Sequence, residues 1–211
     1  MSEVITDPQA IEKKSFEIIA ELLGGRFPDG PERDVVMRVV HATADPDFAD
    51  AMAFSAGAAE AGVLALLAGC NIVTDVMMLR AGVARKKSGE PDRVYCFISD
   101  PDVAEDAKAS GGTRAAAAMR KAVREGVMDG AVVAIGNAPT ALYEVMRLVQ
   151  DEGIRPALIV GVPVGFVGAA ESKDELLGLA GVPFITCRGR KGGSPVGAAI
   201  INALLKLSTS V

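Results

Sequence analysis

The chain contains a single histidine, His41, and imidazole is the side chain best suited to move a proton near neutral pH. His41 stands in the stretch DVVMRVVHATADPDF, residues 34–48, three positions after Arg38. Residues three apart share one face of a helix, so the two side chains are expected to be neighbours. A guanidinium opposes protonation of a nearby imidazole unless an anion lies between them. The pair therefore indicates either proton transfer to an anionic ligand or a packed structural histidine, and the spacing leaves both open.

Other chemistries find less support in the residue types. A histidine metal site is disfavoured because there is no second histidine, and Cys70, Cys96 and Cys187 are far apart without a C-x-x-C pair. We therefore expect reduced, buried thiols and no metal. A Ser-His hydrolase is disfavoured because no G-x-S-x-G motif is present.

The overall composition narrows the class of protein. Half of the residues are hydrophobic, tryptophan is absent, and the formal net charge is −5, which argues against broad nucleic-acid binding. The polar N-terminus lacks the layout of a signal peptide, and the longest apolar run is shorter than the ~20 residues of a membrane span. We expect a cytoplasmic protein that binds neither nucleic acid nor membrane.

Apolar runs of strand length alternate with helical segments along most of the chain. This alternation predicts βαβ units, a parallel sheet of about five strands and a three-layer α/β/α sandwich, formed by one domain over residues 1–211. An N-terminal helical segment precedes the sheet, with starts at Asp7-Pro8 and Gly30-Pro31. The predicted strands are residues 51–55, 70–75, 92–99, 131–137, 156–163 and 183–189. The later helices are predicted at 56–69, 76–86, 101–130 with a Gly-Gly break, 139–153, 170–180 and 194–207.

The residues that follow the strands are the candidates for a ligand site, because open α/β sheets bind ligands at the carboxyl ends of their strands. They are Asp75, then Asn137 and Thr140, then the stretch 162–173 that ends in Lys173, and then 188–194 with Arg190 and Lys191. We expect these segments to converge on one edge.

Two of these segments, GFVGAAESK and GRKGGS, combine glycine with cations and precede helices, which favours an anionic ligand. Neither matches a nucleotide-binding glycine motif. Thr113-Arg114 follows a double glycine and is open to two interpretations, a helix cap with a solvated arginine or a carboxylate clamp.

The stretches MRVVH, VVAIGNAPTAL, GVPVGFVGAAESKD and VPFITCRGRKGGS together resemble the precorrin-8X methylmutase family of cobalamin biosynthesis. The resemblance extends from about Ala10 to Leu205. It implies a flavodoxin-like fold, a homodimer with substrate near the subunit interface, and an isomerase without redox or nucleotide cofactor. The reaction it implies moves a methyl group within ring C of a corrinoid precursor, giving hydrogenobyrinate or cobyrinate.

On this resemblance His41 is expected to be the proton donor, and the acceptor on return, at the ring-C nitrogen. The substrate carries many carboxylates around a flat apolar ring, so its site needs cations and hydrogen-bond donors. The expected substrate-binding residues are Ser15, Arg38, Arg85, Thr113, Arg114, Asn137, Lys173 and Arg190.

Two alternatives stay open. A non-catalytic tetrapyrrole carrier that delivers product to the next enzyme needs the same pocket, and a flavodoxin-like protein for flavin or nucleotide shares the fold. The residues do not distinguish the cobalt-containing from the metal-free substrate. The stretch GRKGGSPVGAAIINALL slightly favours the cobalt-containing one by similarity.

Overall fold

The computed structural model describes residues 6–84 and 92–209 and confirms an α/β fold with helices on both faces of one sheet. The strands are Met52–Phe54 (β1), Ile72–Thr74 (β2), Val94–Tyr95 (β3), Val132–Ile135 (β4), Leu158–Gly161 (β5) and Phe184–Cys187 (β6). The helices of the first half are Pro8–Leu23 (α1), Pro31–Thr43 (α2), Phe48–Ala51 (α3), Ala58–Leu67 (α4) and Met77–Gly82 (α5). Those of the second half are Pro101–Ser110 (α6), Arg114–Arg124 (α7), Pro139–Asp151 (α8), Ala169–Leu176 (α9) and Ser194–Ser208 (α10).

The strand order is β1-β6-β5-β4-β2-β3, and all neighbours are parallel except β1 and β6. The five parallel strands, counted in chain order, lie as 2-1-3-4-5, which is the flavodoxin-like arrangement. The sequence predicted these five strands and did not predict the antiparallel direction of β1. That direction places the start of β1 beside the end of β6, with Met52 opposite Cys187.

The core consists of two apolar layers, one on each face of the sheet. In β4, Val132 and Ala134 face the layer that contains α2, α4 and α10, and Val133 and Ile135 face the layer that contains α7 and α8. Successive strand side chains point to opposite faces, so a strand covered on both sides is apolar throughout. This is why the runs VVAI and LIVG are entirely buried.

The predicted strand 92–99 and the predicted helical stretch 101–130 differ from the structure in extent. The strand predicted at 92–99 pairs only over Val94–Tyr95, because the chain turns afterwards with an Asp100 N–H to Phe97 carbonyl bond of 3.0 Å. The helical stretch predicted at 101–130 is divided at its predicted Gly-Gly break, where Gly111 ends the first helix with a φ of 64° that favours glycine, and the second helix ends at Arg124. Residues 85–86 of another predicted helix lie outside the described residues. Within the described part of the chain, every helix is too short or too polar to cross a membrane.

Gly161 is a position where the packing of the core tolerates no side chain. An added Cβ would lie 2.6 Å from Leu176 Cδ2 and 3.0 Å from Leu142 Cδ1. We expect Gly161→Ala to lower the free energy of unfolding by about 1–3 kcal/mol, because both leucines must shift in a filled core. The matched control is Gly25→Ala, where a Cβ meets nothing within 4 Å. Urea denaturation measures both, and equal midpoints for the two variants would contradict this packing.

Candidate functional site

The loops that follow β2, β4, β5 and β6 lie at one edge of the sheet, because these strands are adjacent and parallel. The predicted convergence of the four segments is therefore confirmed. The helices α8, α9 and α10 begin at this edge, and no side chain among the described residues caps their first turns. Backbone N–H groups at such helix starts are suited to bind carboxylates.

Asp75 is a buried carboxylate that directly follows β2 and lies beside the end of the neighbouring strand β4. Its Oδ1 accepts from the Gly136 N–H at 3.0 Å, and its Oδ2 accepts from the N–H groups of Asn137 and Ala138, both at 2.8 Å. Burial raises the pKa of the Asp75 carboxyl above its usual range, and the three N–H donors oppose this shift. Asp75 thus fixes the loop between β4 and α8, and it exposes the side chain of Asn137.

The loops after β5 and β6 are joined by backbone contacts. The Gly193 N–H donates to the Val162 carbonyl at 2.8 Å, and the Gly165 N–H donates to the Arg190 carbonyl at 3.3 Å. A Cβ at Gly192 would overlap the Val162 carbonyl oxygen, so the close approach requires glycine. The guanidinium of Arg190, which is exposed, lies 5.8 Å from the ring centroid of Phe166 in the same pair of loops.

Lys173, expected from the sequence to bind substrate, does not face the solvent. Its side chain is fully buried, and its ammonium donates to the Lys191 carbonyl at 2.6 Å and lies 3.8 Å from Cys187 Sγ. Burial lowers the pKa of Lys173. In this position Lys173 fixes the loop between β6 and α10 through the Lys191 carbonyl. Direct substrate binding by Lys173 stays a prediction.

An ion-pair bridge connects this edge to the end of α2. The Lys191 ammonium lies 2.6 Å from Asp45 Oδ2 and 2.9 Å from Asp47 Oδ2, in the turn that follows α2. These pairs raise the pKa of Lys191 and lower that of Asp45. Ala44, with a left-handed φ of 53°, ends the helix and turns the chain toward Lys191. The last turn of α2, which carries His41, is thereby brought to the carboxyl edge of the sheet.

His41 and Arg38 both contact Phe16 of α1. The imidazole stacks on the Phe16 ring with centroids 5.0 Å apart and an interplanar angle of 12°, and the Arg38 guanidinium lies 4.8 Å from the same centroid. Arg38 also forms an ion pair of 3.0 Å with Glu12. The expected neighbourhood of His41 and Arg38 is therefore present, and an anionic side chain does lie beside Arg38.

A cavity of about 220 Å³ opens next to this group, between α1, α2 and α10. Phe16, Met37 and Leu207 give it apolar walls, and Arg38 is among the charged residues at its rim. Its size suits one side arm of a ligand rather than a whole macrocycle, so the bulk of a flat tetrapyrrole must lie outside it.

The remaining predicted residues occupy three places. The Ser15 hydroxyl, one residue from Phe16, donates to the Ile11 carbonyl at 2.9 Å. Thr113 caps α7 and its hydroxyl lies 2.8 Å from that of Thr140, so the start of α7 adjoins the start of α8. Arg114 is exposed in the first turn of α7, and Arg85 lies outside the described residues.

Sequence reasoning did not single out Glu12, Phe16, Asp45 or Asp47. Phe16 carries a usable signal, since it is a rare aromatic that follows Ser15 in the first helix. The acidic residues carry none, because carboxylates in a first helix or a turn are ordinarily solvated and only the fold brings them against Arg38 and Lys191.

Asp75→Asn tests the role of the buried carboxylate. An amide NH₂ would replace one acceptor oxygen opposite backbone donors, so we expect a loss of about 2–3 kcal/mol in the free energy of unfolding. Asp129→Asn is the control, because exposed Asp129 accepts one N–H bond, from Arg155, that an amide oxygen can keep. Guanidinium denaturation measures both, and a loss at Asp75 no larger than the control would contradict the account.

The chain matches known proteins over almost its full length. The family model described as precorrin-8X methylmutase matches residues 10–207. The chain is 43% identical to cobalt-precorrin-8 methylmutase of Leptospira interrogans, with 99% of this chain and 98% of that protein covered. It is 44% identical to precorrin-8X methylmutase of Pseudomonas aeruginosa, with 97% and 98% covered. The crystal structure of precorrin-8x methyl mutase from Thermus thermophilus superposes with a TM-score of 0.87 at 40% identity, covering 96% of this chain and 97% of that one. The chain therefore belongs to the precorrin-8X methylmutase family.

Proposed function

We propose that this protein is an isomerase of corrinoid biosynthesis that moves a methyl group within ring C of precorrin-8X or cobalt-precorrin-8. The relatives named for either substrate cover the chain almost end to end, which supports the proposal for both. The observation that carries it is the group formed by His41, Arg38 and Phe16 beside the carboxyl edge of the sheet. A proton-transfer group, a carboxylate-binding cation and an apolar ring are what such a substrate requires.

His41 is proposed as the proton donor to the ring-C nitrogen and as the acceptor when the proton returns. Protonation draws electron density from the conjugated system, which favours migration of the methyl group to the neighbouring carbon. Imidazole suits both directions because it binds and releases a proton near neutral pH. If cobalt occupies the macrocycle of the substrate, its nitrogens are ligated, and His41 must then act on another atom.

The substrate carboxylates are proposed to bind to side chains on both sides of the Lys191 bridge. Arg38 stands on the α2 side, and Arg190 stands on the loop after β6, with the uncapped starts of α8, α9 and α10 as further donors. Ser15, Thr113, Arg114 and Asn137 belong to the same proposal. A net acidic protein can bind a polyanion in this way because cations are concentrated where the ligand lies.

His41→Ala tests the proposed chemistry against the carrier alternative. We expect turnover to fall at least about 100-fold, because general acid–base catalysis supplies gains of that order, while product binding is retained. Product formation is followed by the visible spectrum and mass of the pigment, and binding by titration with product.

Normal turnover by the His41→Ala variant would exclude proton transfer by His41. A wild-type protein that binds the product but never forms it would instead identify a carrier. The same titration with flavin and with nucleotide tests the alternative of a flavin- or nucleotide-binding protein. We expect it to show no binding.

A homodimer is part of the proposal. Most of the exposed large apolar side chains lie on helices of one layer, including Leu22 of α1, Leu64 and Leu67 of α4, and Met78 of α5. Several exposed apolar side chains on one layer support association with a second copy.

The mass in solution tests the dimer. Sedimentation velocity at micromolar concentration is expected to give twice the 21.8 kDa of the chain. Leu64→Lys combined with Leu67→Lys should shift the mass toward the monomer if the α4 surface takes part. A wild-type protein with the mass of one chain across this range would contradict the dimer.

A further inference from the structure

Phe16 is in contact with both His41 and Arg38. It stands on α1, and both partners stand on α2, three residues apart and therefore on one face of that helix. The imidazole is stacked nearly parallel to the phenyl ring, and the guanidinium lies over the same ring. One aromatic side chain thus contacts the proposed proton donor and the neighbouring cation.

The stacking matters because little else orients the imidazole. Within residues 6–84 and 92–209, neither ring nitrogen of His41 forms a hydrogen bond or an ion pair. The torsion that turns a histidine ring has broad minima, so an imidazole without a hydrogen bond takes its plane from its packing. An offset stack restricts that plane and leaves both nitrogens at the ring edge, open to a ligand.

We infer that Phe16 is a positioning residue for the reaction, one that sets the plane of the His41 imidazole and holds the Arg38 guanidinium beside it. This inference rests on the proposed function of His41. Phe16 acts on the proton transfer through His41.

Glu12 completes the arrangement on the side of Arg38. Its carboxylate lies 3.0 Å from Arg38 Nη1, so Arg38 is held by an ion pair as well as by the ring. Among the described residues, Glu12 forms neither a hydrogen bond nor an ion pair with His41. The two anchors can therefore be separated: Phe16 serves both groups, and Glu12 serves Arg38 alone.

His41 is the only histidine of the chain, so its two carbon-bound ring protons can be assigned in a proton NMR spectrum of protein made without a histidine tag. In the wild-type protein we expect at least one of the two signals upfield of its position in the unfolded chain, because the imidazole is stacked on an aromatic face. Phe16→Leu should move such a signal downfield, Phe16→Tyr should keep it near the wild-type position, and Glu12→Gln should leave it unchanged.

Kinetics on the same variants complete the test. Phe16→Leu is expected to lower kcat about ten- to a hundredfold through a misoriented imidazole, with recovery in Phe16→Tyr. Glu12→Gln is expected to change KM and leave kcat within about twofold of wild type.

Wild-type signals at the unfolded positions, or signals that do not move in Phe16→Leu, overturn the inference whatever the kinetics show. The same holds if Phe16→Leu keeps the wild-type kcat. If Phe16→Leu does not fold, wild-type signals at the unfolded positions would still overturn the inference. Failure of the proposed function is a separate result, because it appears as full turnover by His41→Ala.

Discussion

The antiparallel direction of β1 decides where the functional site lies. Because β1 runs against β6, its first residue pairs with the last residues of β6, and the helices that precede it arrive at the carboxyl edge of the sheet. The Arg188 N–H to Ala51 carbonyl bond of 2.8 Å continues this pairing beyond the strand. A parallel β1 would deliver α2 and His41 to the opposite edge, away from the loops after the other strands. The site therefore depends on the direction of one short edge strand.

Two buried ionisable side chains stabilise the loops of that edge by binding backbone atoms. Asp75 accepts three N–H groups of the loop after β4, and Lys173 donates to a carbonyl of the loop after β6. A buried charge is costly unless its hydrogen bonds are satisfied, so each loop must keep the conformation that supplies the partners. The exposed ion pairs of Lys191 with Asp45 and Asp47 contribute less to stability, because solvent screens them. They nevertheless connect the turn after α2 to the loop after β6.

The candidate site of this acidic protein contains both paired and exposed cations. Arg38 is paired with Glu12, whereas Arg190 is exposed near an aromatic ring, and no side chain caps the start of α10. Under the proposed function, substrate carboxylates displace Glu12 from Arg38 and bind beside Arg190. The cavity beside Phe16 is small, so recognition of a large flat ring has to use the open edge together with the apolar side chains of the loop after β5, such as Phe166.

Much of this protein could be read from local patterns. The five parallel strands, the covered sheet and the convergence of the strand ends follow from apolar runs separated by helices, because a strand buried on both faces must be apolar throughout. The relationship of His41 to Arg38 follows from helical spacing, and family membership follows from motifs such as GNAPTAL and GVPVGFVGAAESK. These features depend on neighbours in the chain, so the sequence by itself determined them.

The tertiary structure decided what depends on distant residues. The direction of β1 is set by its pairing with β6, about 130 residues later, and no local pattern distinguishes the two directions. The burial of Lys173 was not evident, since lysine beside a glycine-rich turn is usually solvated, and only the fold shows the carbonyl that it binds. The stack of Phe16 on His41 and the ion pair of Glu12 with Arg38 likewise join α1 to α2. Residue spacing within one helix does not predict contacts between two helices. The sequence thus singled out His41 as the proposed proton-transfer residue, while the orientation and the charged neighbours of His41 arise from packing between elements.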